Sequence, residues 1–206
     1  MQERRGERGS LYTPGGQRKY LTADERRRFI AAARGDARDD LCTLCLTLAY
    51  TGCRISEAVA LVASSIEVDD GFIAIRSLKK RTRAAVMREV PIPPDLVRVL
   101  GEVHGLNESH PGKKLWALSR SQAWRLVKRV MDRAGIAPGP HRTAKGLRHG
   151  FGVHAVRSGV PINLVQRWLG HASLSTTTIY LQVMGDEERA IAARMWASND
   201  PLSLGR

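Results

Sequence analysis

Arg54, Lys145, Arg148, His171 and Tyr180 are of the types needed to break a phosphodiester through a covalent intermediate. Four of them fall in KGLRHGFGVHAVRSGVPINLVQRWLGHASLSTTTIY, Lys145 to Tyr180, and the fifth lies far upstream in TGCRISEAVAL. A phosphate under attack gathers negative charge on its non-bridging oxygens. A planar, permanently charged guanidinium meets two such oxygens at once, which lysine cannot do. A tyrosine supplies an attacking oxygen that stays joined to phosphorus, and the departing 5′ oxygen needs a proton from a general acid. Electrostatic stabilisation of the transition state is the largest expected contribution. Each residue also has a plainer reading: Arg54 as a surface residue at a helix start, Lys145 as a loop lysine, His171 as a helix cap, Tyr180 as a core aromatic. Their joint occurrence at these spacings favours strand cleavage through a phosphotyrosine, with no metal or cofactor required.

The elements that position these groups are mostly helical. Thr22-Ala-Asp-Glu25 is a capping box followed by the helical run RRRFIAAA. A second helix is expected from Asp39 to Tyr50, with Leu41, Leu44, Cys45 and Leu48 on one apolar stripe, and Thr51-Gly52 ends it. Ile55 to Leu61 begins a third. The period then changes. Ser65–Val68 and Phe72–Ser77 read as strands joined through Asp69-Asp70-Gly71, and a third strand is expected around Val86 to Val90, stopped by prolines. A helix follows near Asp95 to His104, and Ser119 is a plausible N-cap for another running to Ala134. Beyond the loop AGIAPGPHR, one helix ends near Gly159. The next, after Pro161, places Ile162, Val165 and Leu169 on one face until Gly170 stops it. The fold class predicted is mostly α (α+β), with a small three-stranded antiparallel sheet. Residues 1–19, charged and glycine-rich, read as a flexible basic arm; residues 20–185 form the domain; residues 186–206 hold a short amphipathic helix and a polar tail.

Composition agrees with a polyanionic partner. Thirty-three Lys and Arg against 20 Asp and Glu give a formal charge of +13, which favours phosphate contacts and counterion release. A ribosomal or merely soluble basic protein is the alternative on composition alone. No apolar run approaches the roughly 20 residues that span a bilayer, and MQERRGERGS has no apolar core of a secretory signal. Three cysteines make no disulfide framework, and suit a reducing cytosol. Cys42 and Cys45 form a C-x-x-C without a second ligand pair nearby, so they read as packing residues rather than a zinc site.

TGCRISEAVAL, LRHGF and LGHASLSTTTIY, in this order between Tyr20 and Gln182, resemble the three boxes of the phage integrase family, the tyrosine recombinases. The resemblance implies that Arg54 and Arg148 are the two catalytic arginines, that His171 contacts the scissile phosphate, and that Tyr180 is the nucleophile. It also implies a lysine on the strand-connecting hairpin that protonates the leaving oxygen; Lys79 fits by its distance after the strand, with Lys80 as the alternative. The family usually has histidine where this chain has Lys145, and a lysine there is similar to type IB topoisomerases. Because Lys145 keeps a cationic donor to phosphate, the site is read as active. His149 is expected to pack or hydrogen-bond, and His154 to be an ordinary helix residue. Many family members carry a further N-terminal helical domain; this chain resembles the short members, and Met1 with its charged arm is what a complete product rather than a cloned fragment would show. The function implied is site-specific recombination of double-stranded DNA by a protein monomeric when free and tetrameric on two synapsed sites, in part through its C-terminal helix. A type IB topoisomerase and a non-catalytic helix-turn-helix regulator, the latter from GLRHGFGVHAVRSGVPINLVQRWLG, are the competing readings.

Overall fold

The computed structural model describes residues 10–77 and 86–183. Ten elements follow in chain order: α1 (Ala23–Arg34), α2 (Asp39–Thr51), α3 (Ile55–Ala58), β1 (Ile66–Glu67), β2 (Phe72–Arg76), β3 (Met87–Pro91), α4 (Pro94–His104), α5 (Arg120–Arg133), α6 (Ala144–Arg157) and α7 (Ile162–Leu169). Short 3₁₀ turns at Ala63–Ser65, Leu174–Thr176 and Thr178–Val183 complete them. The fold is helical with a small three-stranded antiparallel sheet, ordered β1-β2-β3, as the change of period in the sequence predicts.

Local signals set most boundaries. Thr22 Oγ1 accepts from the Glu25 amide at 3.2 Å while Glu25 Oε2 accepts from the Thr22 amide at 2.9 Å, closing a reciprocal cap at the start of α1. Ser119 and Gln122 form the same arrangement on α5. β1 and β2 pair Ile66 with Ile73 across a turn that Gly71 closes, and β3 runs back along β2 with Val90 opposite Ile73 and Arg88 opposite Ile75. Ile73, Ile75, Arg88 and Val90 therefore share the inward face, and all four are buried.

Two expectations are corrected. α2 is not an amphipathic helix with one apolar stripe: Thr43, Leu46, Thr47 and Ala49 are buried along with Leu41, Leu44, Cys45 and Leu48. It is the central helix, packed by α1, α4, α5 and α6, and two of its buried threonines find partners, Thr43 Oγ1 donating to Asp40 O at 3.0 Å and Thr51 Oγ1 to Thr47 O at 2.7 Å. Nor are residues 10–19 a flexible arm. They form a small hairpin with Tyr12 bridged to Arg18. Leu11 is fully buried, Tyr12 and Tyr20 meet edge to face, and Arg18 forks onto the Glu25 carboxylate. The Leu21 amide then donates to Gly146 O at 3.1 Å, pinning the segment to α6. Residues 1–9, Lys79 and Lys80, and the segment 186–206 lie outside the described residues.

Two apolar clusters result. The larger gathers α1–α5 and the sheet; the smaller joins Leu11 and Tyr20 to Phe151, Val165, Leu169, Ile179 and Tyr180, and Trp168 packs against both. α6 supplies Leu147 to one and Phe151 to the other, so Arg148 sits on the seam. Cys45 is wholly buried and Cys42 packs half-buried beside it; burial pushes the Cys45 thiol well above its ordinary range. No helix among the described residues is long and apolar enough to cross a membrane.

Candidate active site

Arg54, Lys145, Arg148 and His171 line one cleft of about 1080 Å³, together with Lys19, Arg120, Trp124 and His149. A sequence separation of about 90 residues is closed by α2 and α6 packing side by side, which brings the end of one beside the start of the other.

Arg54 is the N-cap of α3, directly after the residues that stop α2. Its Nη1 donates to Glu57 Oε1 at 2.8 Å and its amide to Glu57 Oε2 at 2.9 Å, so a buried carboxylate fixes the side chain while about a third of it stays exposed to the cleft. Arg148 is buried. Its Nη1 donates to Gly52 O at 2.8 Å and its Nη2 to Leu169 O at 2.6 Å. Both acceptors close the C-terminal ends of helices, α2 and α7, where the backbone dipole favours a cation. Each terminal nitrogen keeps a second N–H for a ligand in the cleft. Burial, and then the charge of Arg54, lower its pKa to about 10, so it remains a cation at neutral pH.

Lys145 stands exposed in the first turn of α6, one residue after Ala144 and two after the capping Thr143. A cation at a helix N-terminus is unfavourable by roughly 0.3–1 kcal/mol, a local cost that a phosphate in the cleft would reverse. His171 follows Gly170 at the end of α7, and its Nδ1 lies 2.9 Å from the buried Thr177 hydroxyl. Tyr180, on the 3₁₀ turn Thr178–Val183 rather than on an α-helix, stacks its ring on His171 at 6.3 Å between centroids. Only 1% of it is exposed, and its hydroxyl lies 3.1 Å from His149 Nδ1. Burial pushes Tyr180 up to about 12 against the opposing pull of Arg148 and Arg54. Burial, and then Lys145 and Arg148, hold His149 down to about 4, so the imidazole that shares a hydrogen bond with the phenol is neutral. Ile179 reaches the cleft wall; Tyr180 is turned inward beneath it. His149 thus has the hydrogen-bonding role expected of it, and His154 is an exposed residue of α6.

Two residues of this site were not singled out from the sequence. Glu57 is 2% exposed and Arg88 6%. Arg88 Nη2 donates to Glu57 Oε2 at 2.6 Å and Nε to Trp168 O at 2.8 Å. Burial alone would raise the Glu57 pKa, but the hydrogen bond and charge of Arg88, with the hydrogen bonds of Arg54, lower it. Signals for both exist: Glu57 occupies the third position of a helix capped by Arg54, and strand alternation puts Arg88 on the same face as Val90.

Similar proteins share this framework. A tyrosine recombinase XerA of Pyrococcus furiosus is 34% identical over 174 residues, covering 80% of this chain and 57% of the relative. A tyrosine recombinase XerD of Mycobacterium tuberculosis is 35% identical over 203 residues, covering 89% and 61%. The chain therefore spans about three fifths of the length of these relatives. A crystal structure of a XerA recombinase superposes with a TM-score of 0.68 at 29% identity, covering 85% of this chain and 64% of that one. The catalytic domain of bacteriophage HP1 integrase shares the fold at 22% identity, with a TM-score of 0.65 over 87% of this chain and 96% of that domain. The model of the phage integrase family matches residues 19–186. That span runs from the close of the N-terminal hairpin past Tyr180 and takes in both arginines, the lysine and the histidine of the cleft, and on this ground the chain belongs to the phage integrase family.

Proposed function

We propose that this domain is a site-specific DNA recombinase that cleaves and rejoins duplex DNA through a 3′-phosphotyrosine. The observation that carries it is the convergence of Arg54, Lys145, Arg148 and His171 on one cleft with Tyr180 packed against its histidine. All four are cations or hydrogen-bond donors lining the place where a phosphate would gain charge. In the first half-reaction the Tyr180 oxygen attacks phosphorus, the bond to the 5′ oxygen breaks, and the phenol loses its proton as the new bond forms. Arg54 and Arg148 offset charge on the non-bridging oxygens, with Lys145 and His171 as further donors. Lys79, with Lys80 as its alternative, is assigned by family resemblance to protonate the leaving 5′ oxygen. In the second, a 5′-hydroxyl of a partner strand attacks the phosphotyrosine and releases Tyr180. The bond energy stays in the covalent link, so no nucleotide cofactor is called for.

The helix-turn-helix reading is disfavoured by α6, which is buried along most of its length, and by Arg148, whose guanidinium binds backbone rather than facing solvent. DNA as the partner is supported by the +13 charge and by the family: a XerH recombinase of the same fold has been seen bound to its difH substrate. Integration, inversion and resolution all use this chemistry.

Covalent trapping tests the proposal. A pool of nicked duplexes with randomised flanks, incubated with the protein, should yield a denaturation-resistant adduct whose DNA can be recovered and sequenced. Tyr180→Phe should bind the recovered duplex with unchanged affinity and form no adduct. An adduct that persists in the phenylalanine variant would reassign the nucleophile, and no adduct with wild type would overturn the cleavage reading.

A further inference from the structure

We propose that Arg88, on β3, is a positioning residue that holds Arg54 and His171 in register for catalysis through a single buried guanidinium. It rests on the reading of the cleft as a strand-cleaving site. The placement itself is unusual. β3 alternates outward Met87 and Glu89 with inward Arg88 and Val90, and a methionine or leucine at 88 would fill the inward position opposite Ile75 without bringing a charge out of water. Burying a guanidinium costs several kcal/mol unless its partners are well placed. Its side chain is 4% exposed and that of its partner Glu57 1%.

What the guanidinium touches explains the charge. Toward α3, Nη2 binds Glu57 Oε2 at 2.6 Å, and the same carboxylate receives Arg54 Nη1 on Oε1 at 2.8 Å and the Arg54 amide on Oε2 at 2.9 Å. Arg88 and Arg54 are thus two cations on one buried anion, and the anion's place sets where Arg54 points. Toward α7, Nε binds Trp168 O at 2.8 Å while Arg148 Nη2 binds the next carbonyl, Leu169 O, at 2.6 Å. Two guanidinium groups hold consecutive carbonyls at the end of α7, two residues before His171. Gly170 completes the fit: it adopts φ +64°, and a Cβ there would stand 3.1 Å from Arg88 Cζ and Nη1. The planar fork is what permits a grip on two elements at once; an ammonium is a single point of charge. Arg88 reaches no reacting atom, and acts by fixing the groups that do.

The test compares cleavage of the duplex recovered by covalent trapping with that of the same duplex bearing a methylphosphonate at the scissile position, each diastereomer separately. The methyl group removes the charge of one non-bridging oxygen, so a defect in neutralising that oxygen shrinks on this substrate, whereas a general loss of folded protein costs the same factor on both. Arg88→Met should bind the duplex within about 3-fold of wild type yet cleave it ~10²-fold more slowly. On one methylphosphonate diastereomer the deficit should fall to within about 5-fold, tracking Arg54→Ala, which loses the clamp directly. Arg88→Lys keeps a charge against Glu57 and so carries the same comparison should the methionine variant not fold; it should show a smaller deficit with the same dependence on substrate. Cleavage within about 3-fold of wild type on the phosphate duplex, or an equal deficit on phosphate and methylphosphonate, would overturn the inference while leaving the cleavage reading intact. Failure of wild type to cleave at all would instead remove both.

Discussion

His149 joins the buried seat of Tyr180 to the stability of the domain. Its imidazole is held neutral, with its pKa down from 6.5 to about 4 by burial and by the charges of Lys145 and Arg148. The unfolded chain takes up a proton near pH 6.5 and the folded one does not until about pH 4, so folding stability is full above pH 6.5 and falls as acid is added across that interval. The loss assignable to this one side chain is on the order of 3 kcal/mol. Denaturant unfolding followed between pH 7 and 4 should show it, and His149→Gln, which keeps a hydrogen-bond acceptor but does not titrate, should flatten that part of the slope. An unchanged slope in the variant would place the acid sensitivity elsewhere.

Among the elements, α6 does most to assemble the site, and it does so partly by what it lacks. At Gly152 an added Cβ would lie 2.5 Å from Cζ of Tyr180 and 2.7 Å from both Cε atoms. A rigid ring cannot yield that distance, so Gly152→Ala should lower stability by about 1–3 kcal/mol or drive the ring from its seat. Tyrosine titration separates the two when each is read against the same substitution in a Tyr180→Phe background: displacement returns the phenol from about 12 towards its ordinary value of 10, and overpacking alone leaves it raised. A stability and titration both like wild type would mean that the seat is looser than the packing indicates. The helices themselves were largely legible, because caps such as Thr22–Glu25 and Ser119–Gln122 are local chemistry. So were Arg54, Arg148, His171 and Tyr180 as candidates, whose residue types and spacings are read along the chain. Partnerships across the chain were not: Glu57 meets Arg88 31 positions away and Arg88 meets Trp168 80 positions away, distances at which no periodicity carries information. The hairpin at 10–19 escaped for another reason. Its order depends on Leu11, a tyrosine pair and Arg18 set in a stretch whose average composition is that of an unstructured segment.

At the scale of the whole molecule, the chain's net charge of +13 suits a ligand that is itself long and uniformly charged, and the reaction proposed needs two such duplexes in one complex. We expect a monomer in solution and a tetramer on two sites, linked in part by the segment 186–196, whose sequence carries Ile191 and Met195 at a spacing of four. Removal of residues 186–206 should leave binding to one duplex intact and weaken the two-duplex complex in a gel-shift titration. A truncated protein that assembles that complex at the wild-type concentration would refute the docking role.

The inward seat of Tyr180 also sets a scale for timing. With the hydroxyl against His149 and the ring over Gly152, the resting conformation holds the phenol oxygen out of the cleft, and under the mechanism proposed the cleavage rate would be the chemical rate multiplied by the fraction of molecules whose tyrosine has swung out. A resting preference of about 3 kcal/mol would leave under about 1% of molecules poised at any moment. Whatever binds the outward conformation better, a bent duplex or a neighbouring subunit, would then quicken cleavage a hundredfold without touching the phosphate at all.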